Sequence, residues 1–433
     1  MTSWFDKAKF GIFVHWDHAS QQGIEISWPM AGRRSNRQIS VDGYGESAAT
    51  FNPTAWDARR LVGFLRRCGA RYVVFTTKHH AGFSMFHTEF SDYSIANAPY
   101  RKDLVSELVA AAHEEGLKVG LYYSLSDWHN EYYPPLRDSD LPYEFGKTPP
   151  YPGEGIWEKY LAVLFGQVRE LLTNYGHIDV IWFDGEWERT PEQWRADELA
   201  AEIRDLSPHT LINDRLPGQG DFVTPEQSVP AAPPEGRWET CMTMNETWGY
   251  DPDDTRYKSW TSIVRRLVET AAGGGNLLLN VSPMGSGAVP PEQDTRLRSV
   301  GRWLVDNGDA IFGPEVSGLE PWQFPGPTTR NAETLYLHIL GKPLDALDLH
   351  GVPVRRITRV WELSSGQQLP WEGRVEAHSK AWLQADPLGS AAISYPAALW
   401  RDQPTVVGVQ FGPGPRTDLG MPRDRFVPPE WSN

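Results

Sequence analysis

The chain has 433 residues, with 41 basic against 56 acidic side chains and a formal net charge of −15 at pH 7. That length can bury a large core and divides naturally into one barrel-sized domain and a smaller one. The acidic balance argues against a phosphate-binding surface, so neither nucleic acid nor an anionic membrane is an expected partner. Cys68 and Cys241 are too few for a disulfide framework and lie in no C-x-x-C pair. The first residues, MTSWFDKAKFGIFVHW, offer no apolar stretch after a basic start, and no segment reaches ~18 uninterrupted apolar residues. A soluble, cytoplasmic protein is expected; oligomeric state has no signal. The 19 tryptophans form core or line a site for ligands with apolar faces and polar rims.

In chain order, Phe10–Trp16 reads as a first buried strand, with His15 and Asp17 sharing a side at its end by the two-residue period of a strand. Residues 21–52 show no period and form a long loop around an isolated Trp28. Helical spacing of Leu61, Phe64, Leu65 and Cys68 follows, closed by Gly69. Tyr72–Thr77 is a second strand that delivers Lys78, His79 and His80 at its end. Asp103–Glu115 is a helix with Asp103 as N-cap and Gly116 as stop. Lys118–Tyr123 is the third strand, and a helix over Trp157–Asn174 leads to the fourth, Val180-Ile-Trp-Phe183. Asp184 ends that apolar run, where a carboxylate points into the crevice that collects ligands. Further strands are expected at 210–214, 220–226, 237–243 and 276–282, with helices over 191–206, 257–272 and 290–311. Between 220 and 243 Pro-rich loop replaces the helix.

Eight strands, most separated by helices and most ending in polar or aromatic residues, describe a (β/α)8-like barrel with an incomplete helical layer and its site at the C-terminal face. A doubly wound sheet would carry a glycine-rich turn after its first strand, and GIFVHWDHAS is not one. The barrel is expected over residues 1–315. Short alternating runs such as Thr334–Leu340 and Arg359–Leu363 place a small β-sandwich over 316–433, with an irregular tail after Gly412.

The strand ends collect His15, Asp17, His79, His80, Tyr122, Asp184, Arg215, Glu226 and Glu239. Paired carboxylates among histidines, an arginine and tryptophans are the parts of a glycosidase site. Carboxyl separations of about 5 to 5.5 Å or about 6.5 to 9.5 Å select retention or inversion. Phe10–Trp16, Thr76-Thr-Lys-His-His80 with Gly82-Phe83, Gly120–Ser124 with Asp127-Trp128, Ile181–Gly185, Asn213-Asp-Arg215 and Gly274–Val281 together resemble the family 29 α-L-fucosidases, in order, over residues 4–312. The resemblance implies a retaining exo-glycosidase, with no cofactor or metal, acting on a fucosylated oligosaccharide or glycoconjugate.

It further implies Asp184 as nucleophile, Trp182 as its pocket-lining neighbour, and His15, His79 and His80 as groups that hold the fucose hydroxyls. Tyr122 falls near the anomeric carbon, Arg215 matches the N-D-R arginine, and Trp248 the aromatic wall against the sugar methyl. Glu226 fits the general acid/base best, with Glu239 as second choice. The chain departs from the common pattern at Asp17, at Ala81 and at Ser27-Trp28-Pro29, where Trp28 stands as a substrate contact. With the segment Trp238–Met244, these departures resemble the branch acting on α-1,3/1,4-linked fucose.

Two rivals come from other classes. A metal-dependent hydrolase could use His15-x-Asp17 and His79-His80, although adjacent strand residues point to opposite sides. A non-catalytic carbohydrate-binding protein would keep the tryptophans but has no need of paired Asp184 and Glu226.

Overall fold

The computed structural model describes residues 3–33, 39–136, 141–145, 149–343, 345–375 and 386–414. The expected irregular tail lies almost wholly outside the described residues. Two compact units emerge, Met1–Ile263 with Gly275–Arg302, and Val264–Gly274 with Trp303–Asn433.

The first unit is built on seven parallel strands: β1 (Phe10–Val14), β2 (Tyr72–Lys78), β3 (Lys118–Ser124), β4 (Val180–Asp184), β5 (Leu211–Ile212), β6 (Glu239–Met242) and β7 (Asn276–Val281). Their order is β5-β4-β3-β2-β1-β7-β6, so the first strand pairs both with its sequence neighbour and with the last. The stretch expected as a strand at 220–226 is no regular strand. It is an extended segment that spans the gap between the sheet edges through bridges Asn213–Phe222, Val223–Trp238 and Glu226–Cys241. Its backbone bonds, from Asp221 N–H to Ile212 C=O at 2.7 Å and from Cys241 N–H to Pro225 C=O at 3.0 Å, complete the ring of staves. Pro225 inside it removes an N–H group, and the Pro-rich stretch that follows prevents the ladder from extending.

Strands β1, β2, β4 and β7 are buried along their whole length, which explains their near-continuous apolar runs. Helices between them start where the sequence offers a side-chain acceptor. Asp57 Oδ1 accepts from Arg60 N–H at 2.9 Å ahead of Ala58–Arg67, and Asp103 Oδ1 from Ser106 N–H at 2.8 Å ahead of Leu104–Glu114. The helix expected over 191–206 is broken in two, Pro191–Trp194 and Ala196–Leu206, at Arg195 in the left-handed region. The long loop after β1 contains a one-turn helix, Trp28–Ala31, and a helix Val41–Glu46, which carry Trp28 and Tyr44 to the strand ends.

The second unit holds two antiparallel sheets. One has β8 (Glu315–Val316), β9 (Thr328–Asn331), β10 (Thr334–Ile339), β12 and β15 in the order β12-β15-β10-β9-β8, and the other has β11-β14-β13. The ranges are β11 (Ala346–Val352), β12 (Ile357–Glu362), β13 (Trp371–Val375), β14 (Gly389–Ser394) and β15 (Thr405–Phe411). Leu335, Leu337, Leu349, Val360, Ile393, Val407 and Val409 from both sheets share one core, which makes this unit a β-sandwich as expected.

Candidate active site

Six of the strand-end groups expected in the site, His15, His79, Tyr122, Asp184, Arg215 and Glu226, line one cavity of about 400 Å³, together with Trp28, Trp182 and Trp248. Asp184 is its centre. Tyr122, one strand over on β3, donates to Asp184 Oδ2 at 2.8 Å, and Arg215 Nη1 donates to Oδ1 at 2.6 Å. Burial alone would raise this carboxyl, but the charge of Arg215 and the hydrogen bonds from Arg215 and Tyr122 hold it below the usual carboxylate range. It is an anion at neutral pH. Arg215 lies over the Trp182 ring, its Cζ 4.7 Å from the centroid, and its Nη2 donates to Glu226 Oε2 at 2.9 Å. One planar guanidinium thus ties Asp184 and Glu226 together, the second more than a third exposed and facing the cavity.

Each histidine is held by its own partner. His15 Nδ1 stands 2.7 Å from Asn280 Oδ1, and Asn280 Nδ2 donates to Trp248 C=O at 2.7 Å, which fixes the amide so that Oδ1 must accept. Burial pushes His15 down to about 3, so the neutral ring carries its proton on Nδ1 and presents Nε2 as an acceptor. His80 follows the same logic. Its Nδ1 is 2.6 Å from Ser124 Oγ, whose own proton goes to Ser126 C=O, and burial pushes His80 to about 4. Its Nε2 has no hydrogen-bond partner and sits 3.6 Å from Asp184 Oδ2. Two acceptors facing each other across that gap call for a hydroxyl donor. His79 Nδ1 pairs with Ser27 Oγ at 2.7 Å, and the same oxygen accepts from Ala81 N–H at 2.8 Å. Two of the departures from the family pattern, Ser27 and Ala81, therefore meet at one bond beside His79.

Three placements differ from expectation. Asp17 is not in the cavity: the strand ends at Val14, and Asp17 caps the turn His18–Gln21, accepting from Ala19 N–H and Tyr44 Oη at 2.7 Å each. Glu239 stands at the start of β6, below the cavity, buried between the Trp182 indole N–H at 3.0 Å and the Tyr72 hydroxyl. Nor do His79 and His80 diverge. The register of β2 against β3 shifts between Thr76 and Lys78, the strand stops there, and the rings lie 4.2 Å apart. Among the described residues, His79, His80 and Asp184 form a group whose ligand atoms all lie within 4.8 Å of one another.

Sequence reasoning missed Glu186, Trp187, Phe145, Asp214, Thr224 and Cys241, which also line the cavity. Glu186 follows Gly185, whose left-handed φ of 76° turns the chain off β4, and where a Cβ would come 2.4 Å from Ser126 Oγ. Burial first, then the charge of Asp184, push Glu186 up to about 7 against the pull of Arg215. Its only sequence signal is adjacency to Asp184.

A barrel with an ionised carboxylate, a second carboxyl, neutral acceptor histidines and aromatic walls at its strand ends defines a glycoside hydrolase. The alpha-L-fucosidase family model matches residues 1–309, and the chain belongs to that family. The chain is 32% identical to an alpha-L-fucosidase of Branchiostoma floridae over 82% of each chain, and 29% identical to the tissue alpha-L-fucosidase of Mus musculus over 95% of this chain and 90% of that one. Among solved structures, alpha-L-fucosidase isoenzyme 1 from Paenibacillus thiaminolyticus superposes with a TM-score of 0.81 at 34% identity, covering 95% of this chain and 99% of that one. The protein is an alpha-L-fucosidase, and its substrates are fucosylated glycans.

Proposed function

We propose that the chain is a retaining, exo-acting fucosidase that removes terminal α-1,3- or α-1,4-linked L-fucose, with Asp184 as nucleophile and Glu226 as general acid/base. The observation that carries the reading is the Arg215 fork, which holds the two carboxyls of one cavity on the same guanidinium. A span of two hydrogen bonds and one guanidinium suits the shorter, retaining spacing. Asp184 Oδ attacks the anomeric carbon as the glycosidic C–O bond breaks, and the Glu226 proton passes to the leaving oxygen. Glu226 then takes a proton from water, whose oxygen attacks the same carbon and releases Asp184. Tyr122, donating to Asp184 Oδ2, holds the nucleophile's second oxygen while the first reacts. The bare Nε2 atoms of His15 and His80 accept from sugar hydroxyls, and the Trp248 ring, 4.8 Å from His15, supplies an apolar wall.

The linkage rests on the Ser27-Trp28-Pro29 and Ala81 departures and on the Trp238–Met244 segment. Trp28 and Trp187, near-parallel at 13°, with Phe145 beside them, give the mouth aromatic faces for a sugar beyond fucose. The test is L-fucose release from α-1,2-, α-1,3-, α-1,4- and α-1,6-linked fucosides and an aryl fucoside. Release confined mainly to the α-1,3 and α-1,4 members, and lost roughly a thousandfold or more in Asp184→Asn, is expected. Equal release from α-1,2 or α-1,6 members would overturn the linkage. One observation favours a second reading, the His79–His80–Asp184 group, which has the spacing of a metal site. Activity abolished by a chelator and restored by a divalent ion would support it.

A further inference from the structure

The second unit carries a cavity of about 770 Å³, larger than the active site and lined entirely by its own residues. Its floor is core, Phe324, Ile339 and Leu347, and its rim includes Pro321, Pro325, Pro327 and Pro343, which stiffen the backbone around it. At the edge stands Trp322, two-thirds exposed.

The turn that carries this indole is held rather than loose. Gln323 C=O accepts from His350 N–H at 2.9 Å, and Gln323 Nε2 donates to His350 C=O at 3.2 Å, strapping the Trp322 turn to β11. The indole edge rests on Gly351, where an added Cβ would come 3.2 Å from Cη2. Its position is set before any ligand arrives, so stacking costs little side-chain entropy.

Polar groups face the same cavity. Asp348 is exposed on β11, and Arg265, fixed by donation to Leu340 C=O at 2.6 Å, stands near Glu269. His350 has its Nδ1 on Ser390 Oγ at 2.9 Å. His338 lies in the wall, neutral because burial pushes it down to about 3. Its Nε2 meets Thr329 Oγ1 at 3.0 Å, and that hydroxyl's proton goes to Ala310 C=O, so Nε2 must donate. That leaves His338 Nδ1 as an acceptor with no partner.

We propose that this cavity is a second carbohydrate-binding site, separate from the catalytic one, that stacks a neutral pyranose on Trp322 and meets its hydroxyls with Asp348, Glu269, Arg265 and His350. A pyranose has an apolar C–H face and a rim of donors and acceptors, which fits a flat indole bordered by mixed polar groups. An acidic sugar or other polyanion would face Glu269, Asp348 and a net charge of −15. The site gives the β-sandwich a task, holding the enzyme on a glycan, and does not depend on the catalytic assignments.

The test is native affinity electrophoresis of the full chain in gels containing fucosylated xyloglucan, galactomannan or arabinoxylan, beside turnover of an aryl fucoside. At least one polysaccharide should retard the wild type, Trp322→Ala should lose retardation fivefold or more, and Trp322→Tyr should keep most of it. Aryl fucoside turnover should be unchanged in all three. Asp348→Ala, an exposed change that leaves the fold alone, should also weaken retardation and decides the matter if Trp322→Ala lowers stability. No retardation of the wild type by any member, or retardation of both Trp322→Ala and Asp348→Ala as strong as that of the wild type, would overturn the proposal. Failure of the catalytic reading would show separately, as absence of aryl fucoside turnover.

Discussion

Glu226 and Glu239 are both carboxyls on the closing side of the barrel, and their surroundings are opposite. Glu226 faces the cavity on Arg215, whereas Glu239 is sealed under Trp182 and Tyr72. Glu226→Gln should lower hydrolysis of oligosaccharides about a hundredfold or more, and azide, which needs no general base, should restore part of the turnover of an aryl fucoside. Glu239→Gln should keep most activity and change stability instead. Burial raises Glu239 from 4.5 to about 7, against the bonds from Tyr72 and Trp182. The folded state then holds the proton more tightly than the unfolded chain. Its contribution is full below about 4.5, is lost as pH rises through about 7, and amounts to something on the order of 3 kcal/mol. Thermal unfolding at pH 5 and pH 8 should show a smaller drop in Tm for Glu239→Gln than for wild type; equal drops would place the proton elsewhere. At this scale the sequence was readable where a buried apolar run ends in a polar residue, as at Asp184. It misled at Asp17, because a two-residue period carried past Val14 no longer applies once the chain turns. Glu186 was invisible for the same reason: it sits in a turn, which has no period.

Strand β2 shows how an element delivers chemistry. Lys78, its last residue, is fully buried, donates to Asp127 Oδ2 at 3.0 Å and lies 4.3 Å over the Tyr123 ring. The pair anchors the end of β2 to the loop after β3, immediately before His79 and His80. Removing one partner leaves a buried charge alone, so Asp127→Ala should cost about 3 to 5 kcal/mol in denaturant unfolding. The same variant should raise KM more than it lowers kcat, since in the proposed mechanism the histidines it disturbs bind the sugar rather than react. A loss under ~1 kcal/mol would mean that water replaces Asp127. Strand positions were legible because both faces of the sheet are covered and the runs are continuous. The stave at 220–226 was read as a regular strand because its alternation is strand-like, but Pro225 and its short bridges limit it to isolated pairs.

For the whole molecule, the pairing of β1 with β7 joins residues 10–14 to 277–281, so the barrel forms only when the chain has been completed that far. A chain ending at Gly275 should show no cooperative thermal transition, because β1 and β6 both lose β7; a sharp transition would contradict the topology. The C-terminal β-sandwich was legible from the switch between helical spacing and short alternating runs. Which Trp residues line cavities was not, since core and ligand-facing tryptophans look alike in sequence. The proposed catalysis rests on double displacement through Asp184. It is tested most directly by following the first turnovers of an α-L-fucoside by proton NMR. Double displacement predicts that α-L-fucose appears first and only then mutarotates; β-L-fucose appearing first would contradict it.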